Sequence, residues 1–494
     1  MAGDARAATG PAAGYRTDIR YTTHYQPELN PGRQLVALTA AGRAGADPNG
    51  AFTHLELGCG FGLSALFHAA AHPNARFVAV DILPEHMRWA IGVAEAAEID
   101  NVQFICAPFA ELGQYGLPKC DVVALHGVWS WINDDNRRHA LAAVDRCLKD
   151  GGYTYISYNA LPGLSHIGPL RDILGAEFRR AAGDVPARIA AAFARTQRLQ
   201  QAGALFFHAN PSAADHLEEL PKAAPEYLAH ELFNADWRSN YHGEVAAEMT
   251  RIGLSFAGSA DLTDLADALT LPAESRALIE AERDPALREL VRDFMINRQF
   301  RADFFSRGQL PAAKATLADT RCALNIGPAD FDRVVLRTVR KDFKPGVLAR
   351  RIMTRLHRAP ASPRELAGEA GFAETRLEQL SEAFVLLMAM GGADPLLSPD
   401  ALAARRARTE RLNRVIWAQS LVSGDVTVSV SPVTGAGVNT TRLEQLFLSA
   451  AAQGNDPVEF AAGLFDAAAR PQVQEVYAAF VADRLPVLKN LGIA

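Results

Sequence analysis

His54-Leu55-Glu56-Leu57-Gly58-Cys59-Gly60-Phe61-Gly62, followed at once by Leu63-Ser64-Ala65-Leu66-Phe67-His68-Ala69-Ala70-Ala71, decides the fold. An apolar run enters this stretch, three glycines alternate through its middle, and a helix-prone segment leaves it. Strand, glycine turn and helix in that order open a doubly wound, nucleotide-binding α/β sheet. Glycine is needed where the backbone turns tightly and admits a ligand closer than a Cβ allows. The spacing then separates ligand classes. A dinucleotide fingerprint, Gly-x-Gly-x-x-Gly, puts its third glycine where this chain has Leu63. Here the third glycine is Gly62, and Glu56 stands two positions before the first.

Downstream, Phe77-Val78-Ala79-Val80 reads as a short apolar second strand with Asp81 at its end. A carboxylate in that place accepts the ribose hydroxyls of an adenosine-type ligand. The competing reading is a cap on the helix that Pro84-Glu85-His86-Met87 begins; the glycine turn upstream favours ribose. Glu56-x-Gly58-x-Gly60-x-Gly62 resembles the first motif of class I S-adenosylmethionine-dependent methyltransferases. Asn101 to Ile105 reads as the third strand, Asp121 to Gly127 as the fourth, and Tyr153 to Tyr158 as the fifth. The spacing of Leu141, Val144 and Leu148 predicts a helix from Asp134 to Lys149, stopped by Gly151-Gly152 as a glycine C-cap. Leu148-Lys149-Asp150-Gly151-Gly152 before an aromatic strand again resembles class I methyltransferases.

Two further stretches narrow the resemblance. His126-Gly127-Val128-Trp129-Ser130-Trp131-Ile132 and Ser157-Tyr158-Asn159-Ala160-Leu161-Pro162-Gly163 resemble methyltransferases that carry a methyltransferase regulatory domain. That group includes bacterial protein-lysine methyltransferases acting on outer-membrane proteins. The likeness continues through Glu226 to Leu232, Gly253 to Phe256 and Arg292 to Arg301, and covers about Tyr21 to Arg307. It implies S-adenosylmethionine as cofactor and a protein substrate offering a lysine amine.

The cofactor is accordingly expected at Glu56, Gly58, Cys59, Gly60, Gly62, Asp81, Ile82, Pro108, Phe109 and His126. Phe109, in the loop after the third strand, either stacks on the adenine or belongs to the core. A lysine amine, with a pKa near 10.4, must lose a proton before it attacks, and desolvation among aromatic rings helps. Trp129, Trp131, Tyr158 and Asn159 are the expected substrate pocket, in which the rings, joined by Tyr25, hold the ammonium by cation–π contact. The two tryptophans alternatively plug the open end of the sheet. His126 either accepts a proton or touches the methionine end of the cofactor.

The remaining composition bounds the problem. At 494 residues the chain exceeds one ordinary domain, and 49% apolar residues suffice for sizeable cores. A net charge of −6 gives no global reason to expect nucleic acid or acidic membranes. Five cysteines, an odd number without a Cys-x-x-Cys pair, suit a reducing compartment and speak against a disulfide framework or a zinc site. No run of about 18 apolar residues occurs, so no membrane span is expected. Residues 1–14, small and polar, lack the apolar core of a signal peptide and are expected to be disordered. The expected address is cytoplasmic.

The expected organisation is a Rossmann-like class I methyltransferase core over residues 15–165, a helical regulatory or substrate-covering region over 166–310, and a mainly helical, winged-helix-like region over 311–494. Aromatic residues between Tyr15 and Asn30 form either a lid over the site or an arm packed on the core. Leu170 to Ala182 and Ala187 to Gln201 read as a helical pair, and Leu254 to Gly258 as a late strand completing the sheet. His230-Glu231 resembles a catalytic dyad, but neighbours on a helix point about 100° apart, which favours a capping or interdomain role. Asp284 to Ser306 reads as one amphipathic helix whose arginines mark an interdomain seam.

In the last region, Ser362-Pro363-Arg364-Glu365 is a capping box opening a helix to Ala370, and Glu374 to Met390 a longer helix. That second helix is poor in residues that read bases, so nucleic acid is not the expected partner. Val426 to Val438 reads as a wing or hairpin, and Thr441 to Glu444 as a further helix cap. Two functional alternatives stay open. One is a small-molecule or glycan O- or N-methyltransferase, with the helical region as lid and a homodimer formed through the C-terminal region. The other is a cofactor-sensing regulator with little turnover.

Overall fold

A computed structural model of the chain describes residues 16, 19, 21–335, 344–465 and 469–494. The expectation of disorder over residues 1–14 therefore lies outside the described residues, as does Tyr15.

One seven-stranded sheet organises the molecule, in the order β3-β2-β1-β4-β5-β7-β6. Its parallel part is β1 (Thr53–Leu57), β2 (Arg76–Asp81), β3 (Val102–Cys106), β4 (Cys120–Leu125) and β5 (Leu148–Asn159). The chain enters it through α1 (Pro31–Ala40). The crossovers are α2 (Leu63–Ala71), α3 (Pro84–Ala96) and α4 (Asp134–Cys147). After β5 comes a helical run: α5 (Ile167–Arg180), α6 (Val185–Gln201), α7 (Leu205–Ala209), α8 (Pro211–Glu219), α9 (Pro225–Leu232) and α10 (His242–Arg251). The chain then returns to the sheet as β6 (Leu254–Ser259), leaves through α11 (Asp267–Thr270), α12 (Ala273–Ala281) and α13 (Pro285–Ile296), and comes back as β7 (Phe300–Arg307). Strand β7 runs antiparallel between β5 and β6.

Side chains alternate across the strands, as the pleat requires. Leu55, Val80, Val123, Ile156, Tyr158 and Phe305 face a core closed by α4 and α10. Val122, Ala124, Tyr153, Tyr155 and Phe304 face a second core, shared with α1 and with residues far along the chain, among them Phe384 and Met388.

Two expectations change here. The helix before β5 ends at Cys147, because Leu148 is already extended. Gly151 and Gly152 lie inside β5 instead, where the register against β4 jumps between Cys120 and Val122. Gly151 has φ +74°, and a Cβ on Gly152 would lie 2.9 Å from the carbonyl oxygen of Asp121, so the pair serves a bulge and not a helix cap. The predicted helix from Asp284 to Ser306 is a helix and a strand. Asn297, at φ +52°, adopts the left-handed turn that stops α13, and Phe300 to Arg307 alternate as a strand does.

The arginines of that stretch do not mark a seam between domains. Arg298 pairs with Asp261, Asp264 and Asp293, while Arg301 pairs with Asp293, Asp303 and Glu289. All these partners belong to residues 261–303. Asp303, in the middle of β7, is fully buried and accepts from Tyr158 Oη at 2.6 Å and Arg301 Nη2 at 2.9 Å, with His242 Nδ1 at 3.1 Å.

Beyond the sheet, β8 (Cys322–Leu324) pairs with β9 (Ala393–Pro395) around α14 (Val347–Arg358), α15 (Pro363–Ala367) and α16 (Leu377–Ala389). Ser362 and Glu365 form the expected capping box of α15. Then α17 (Leu402–Gln419) lies on α2 and α3, with Arg408 paired to Asp100. The predicted wing is a hairpin of β10 (Val428–Val430) and β11 (Gly437–Asn439), and Thr441 caps α18 (Arg442–Ala452).

The glycine turn between β1 and α2 is fixed by packing on two sides. Gly58, Gly60 and Gly62 all have positive φ, at +79°, +56° and +67°. A Cβ on Gly58 would meet Val128 Cγ2 at 2.4 Å, and one on Gly62 would meet Phe104 Cε1 at 2.5 Å, whereas at Gly60 nothing lies within 4 Å. Two glycines thus make room for protein and one leaves room for something else.

Two stability measurements check this account. Gly58→Ala, which adds a clash to a left-handed backbone, should cost at least about 2 kcal/mol by urea denaturation, against about 1 kcal/mol for Gly60→Ala. Asp303→Ala should cost about 3–5 kcal/mol by taking one carboxylate from the buried Arg301 network and leaving Tyr158 Oη and His242 Nδ1 without their acceptor. Burial raises the Asp303 carboxyl, but Arg301 and His242 outweigh it and the net shift is downward. Its contribution is therefore present above the unfolded value of about 3.9 and is lost as pH falls below that.

Candidate active site

The carboxyl ends of β1, β2, β4 and β5 open into a cleft of about 480 Å³. Its floor is the glycine turn. Gly58 N and Cys59 N both donate to Val80 O, at 2.8 and 2.9 Å, which ties the turn to the end of β2. Asp81 completes the tie, with Oδ2 accepting from Gly60 N and Oδ1 from Leu83 N, both at 2.9 Å. It thus holds the turn and the start of α3 together. His86 lies behind it: Nε2 accepts from Tyr21 N at 3.4 Å, and Nδ1 faces Asp81 Oδ1, also at 3.4 Å.

Glu56 also lines the cleft. It is buried, Oε2 has no hydrogen-bond partner, and burial followed by the nearby Asp81 charge raises its carboxyl to about 8. An unpaired buried acid costs stability unless something cationic comes to it.

Of the remaining residues expected at the cofactor, Gly58, Cys59, Gly60, Ile82, Pro108, Phe109 and His126 stand in the wall of this cleft. Gly62 does not, since its Cα packs on Phe104 at the start of α2. His126 Nδ1 lies 3.0 Å from Tyr155 Oη and 3.4 Å from Ser157 Oγ. Burial lowers its pKa, so the ring is neutral at pH 7.

The expected substrate residues divide by strand parity and by depth. Trp131 and Asn159 line the cleft. Tyr158 points to the opposite face of β5, into the core and onto Asp303. Trp129 is wholly buried as well, with the Arg137 guanidinium 5.1 Å from its ring and donating to its carbonyl oxygen through Nε and Nη2. Trp129 thus belongs to the core and not to the wall of the cleft.

The roof of the cleft comes from two distant segments. One is the N-terminal arm, with Tyr21, Thr22, His24, Tyr25 and Gln26. It is both arm and lid: Gln26 N donates to Ser64 Oγ at 2.9 Å, and the Tyr25 ring stacks on Phe67 at 5.6 Å while also lining the cleft. The other is α9, which contributes Tyr227, His230 and Glu231, with Asn234 just beyond it. Phe300, paired with Asn159 across β5 and β7, closes the far side. Sequence reasoning set His230 and Glu231 aside and placed Phe300 on a helix. The one available signal was that Glu226 to Leu232 lies within the resemblance.

No helix among the described residues is long and apolar enough to cross a membrane, and none of their His, Cys, Asp and Glu clusters is placed to hold a metal ion. An adenosyl ligand with an ammonium group fits what is present: a buried acid without a partner, and a glycine whose missing Cβ leaves space.

Comparison with known proteins agrees. Residues 55–152 match the model of a methyltransferase domain, and residues 224–307 that of a predicted methyltransferase regulatory domain. The chain is 31% identical over 507 residues to the uncharacterized protein sll1526 of Synechocystis sp., covering 97% of this chain and 99% of that protein. Its fold is similar to that of PKMT2 from Rickettsia typhi, with TM-score 0.69 at 16% identity over 96% of this chain and 100% of the other. The structure of PKMT2 from Rickettsia typhi in complex with AdoHcy gives TM-score 0.66 at 16% identity over 90% of each chain. The enzyme uses S-adenosylmethionine, and the chain belongs to the class I S-adenosylmethionine-dependent methyltransferases that carry a methyltransferase regulatory domain.

Proposed function

We propose that this methyltransferase acts on an amine, and that the amine is a lysine side chain of a protein. The observation that carries this reading is a third carboxylate in the cleft, Glu231, met by the Tyr21 phenol at 3.5 Å, with the rings of Trp131 and Tyr227 lining the same cleft. Aromatic faces and a carboxylate are what an alkylammonium binds. The resemblance of residues 126–132 and 157–163 to protein-lysine methyltransferases supports a protein acceptor over a free amine.

On this reading Glu56 receives the ammonium of the amino-acid part of the cofactor. Asp81 takes the ribose hydroxyls on lone pairs that Gly60 N and Leu83 N leave open, since a carboxylate offers about four acceptor sites. Gly58, Cys59 and Gly60 offer backbone, Ile82, Pro108 and Phe109 flank the adenine, and His126, neutral, lies toward the methionine end. Gly62 shapes the turn without touching the ligand. Bound S-adenosylmethionine supplies a methyl carbon made electrophilic by its sulfonium; the protein supplies orientation and exclusion of water. Segment 166–310 serves in this scheme as the acceptor-covering part of the site, through α9 and β7, and residues 311–494 as its support.

The test is to incubate the full chain with methyl-tritiated S-adenosylmethionine and an outer-membrane protein extract, then hydrolyse the labelled protein. Nε-methylated lysine is the expected product. Label in a low-molecular-weight acceptor, or as a base-labile O-methyl ester, would overturn the lysine assignment.

The cofactor assignment has its own check. With its carboxyl near 8, Glu56 must release a proton to receive a cation. Affinity for S-adenosylhomocysteine should therefore fall as pH drops below about 8. Glu56→Gln should bind about 10–100-fold more weakly and lose that dependence, as calorimetric titration between pH 6 and 9 will read.

A further inference from the structure

We propose, resting on the amine-acceptor reading above, that Glu231 is a catalytic residue: its carboxylate binds the acceptor ammonium and takes the proton that the nitrogen must lose before it attacks.

Three carboxylates line the cleft, Glu56, Asp81 and Glu231. The first two flank the glycine turn, and both Asp81 oxygens hold backbone amides. Glu231 comes from elsewhere, on α9, and is committed to nothing so demanding. Tyr21 Oη donates to Oε1 over a long 3.5 Å, and no described group donates to Oε2. The nearest compensating cation, Arg171 on α5, is engaged: Nη2 donates to Asn234 O at 3.0 Å, and its guanidinium lies 4.9 Å from the Trp237 ring centre.

The residue beside it is not a dyad partner. His230 Nε2 lies 2.9 Å from Ile19 O, and its ring meets Tyr21 edge-on at 5.0 Å. His230 therefore positions the arm that brings the Tyr21 phenol to Glu231. Against the expectation from helix geometry, both neighbours line the cleft and both meet Tyr21, His230 through the ring and Glu231 through the phenol, but their hydrogen-bond partners differ.

The charged and titratable groups around Glu231 suit a proton acceptor. Burial raises its carboxyl to about 7, with Tyr21 and Arg171 pulling the other way. Tyr227, one turn earlier, is pushed up to about 12 by burial and by Glu231 itself, so it stays neutral. An entering ammonium then meets a carboxylate whose charged neighbour, Arg171, is already engaged by Asn234 O and the Trp237 ring. The step balances as R–NH₃⁺ and Glu231–COO⁻ giving R–NH₂ and Glu231–COOH. An N–H bond breaks, an O–H bond forms, and the electron pair stays on nitrogen. In water the transfer is uphill, since a lysine titrates near 10.4. Withdrawing both charges from solvent lowers the amine and raises the acid, which narrows the gap. A hydroxyl acceptor would gain no such charge pairing, so Glu231 also selects nitrogen over oxygen.

The experiment uses the full chain saturated with S-adenosylhomocysteine and titrated with n-butylamine, with n-butanol as neutral isostere, from pH 5.5 to 9. Butylammonium should bind in preference to butanol, and its affinity should fall by up to about tenfold per unit below pH 7. Glu231→Gln should weaken it at least about tenfold and flatten the pH profile, with S-adenosylhomocysteine affinity and thermal midpoint unchanged. Glu231→Asp should recover part of the loss. Equal butylamine affinity in Glu231→Gln, or no preference for butylamine in the wild type, would overturn the proposal. Methyl-lysine formed by Glu231→Gln at the wild-type rate would overturn it too, while leaving the lysine reading intact. Label found away from lysine, with butylamine binding still dependent on Glu231, would instead sink the protein-lysine reading alone.

Discussion

β7 carries a charge into the middle of a sheet, and the rest of the active site depends on that charge being met. Asp303 can be buried there only because Arg301, His242 and Tyr158 surround it, and Arg301 in turn is held by Asp293 and Glu289. That network joins α10, α13 and β5 to β7. Once β7 is seated, Phe300 falls beside Asn159 at the mouth of the cleft. The segment matching a regulatory-domain model thus supplies two strands of the catalytic sheet, a wall of the reaction cleft, and the helix above it. It is a structural part of the enzyme's centre.

Much of this was legible in the sequence, and the limits have physical causes. The glycine spacing with Glu56 and Asp81 is a compact pattern in the sequence, although the contacts that demand it come from Val128, Phe104, Val80 and Asp81, well outside the turn. Strand parity decided the rest of β5. Asn159 reaches the cleft while Tyr158, one residue before it, faces the core, and an aromatic at a strand end carries no mark of which face it takes. Residues 284–306 alternate in a way compatible with both helical and strand periods, and only the left-handed Asn297 separates the two. Glu231 was hidden for a different reason. Its meaning comes from Tyr21, 210 residues away, and no window along the chain contains both.

The C-terminal region offered least to sequence reasoning, and its packing explains why. Its helices have ordinary apolar stripes, but the surfaces they cover belong to the first third of the chain. Arg33 on α1 pairs with Asp394 of β9, and Leu412 and Ile416 of α17 join Phe67 and Phe77 in one core. A winged-helix outline describes its elements without saying where they pack, which is against the elements of the methyltransferase sheet.

One contact ties the two ends of the chain together at the cleft. The Tyr25 ring, part of the roof, lies between Phe67 of α2 and the backbone of Gly437, where a Cβ would come within 2.7 Å of it. Every strand of the sheet is complete at Arg307. A nascent chain leaving the ribosome at that point has its full floor and walls, yet lacks the surface against which Tyr25 is clamped. The order of synthesis therefore leaves one contact of the roof until last, the clamp of Gly437 on Tyr25, after the arm and α9 are already in place.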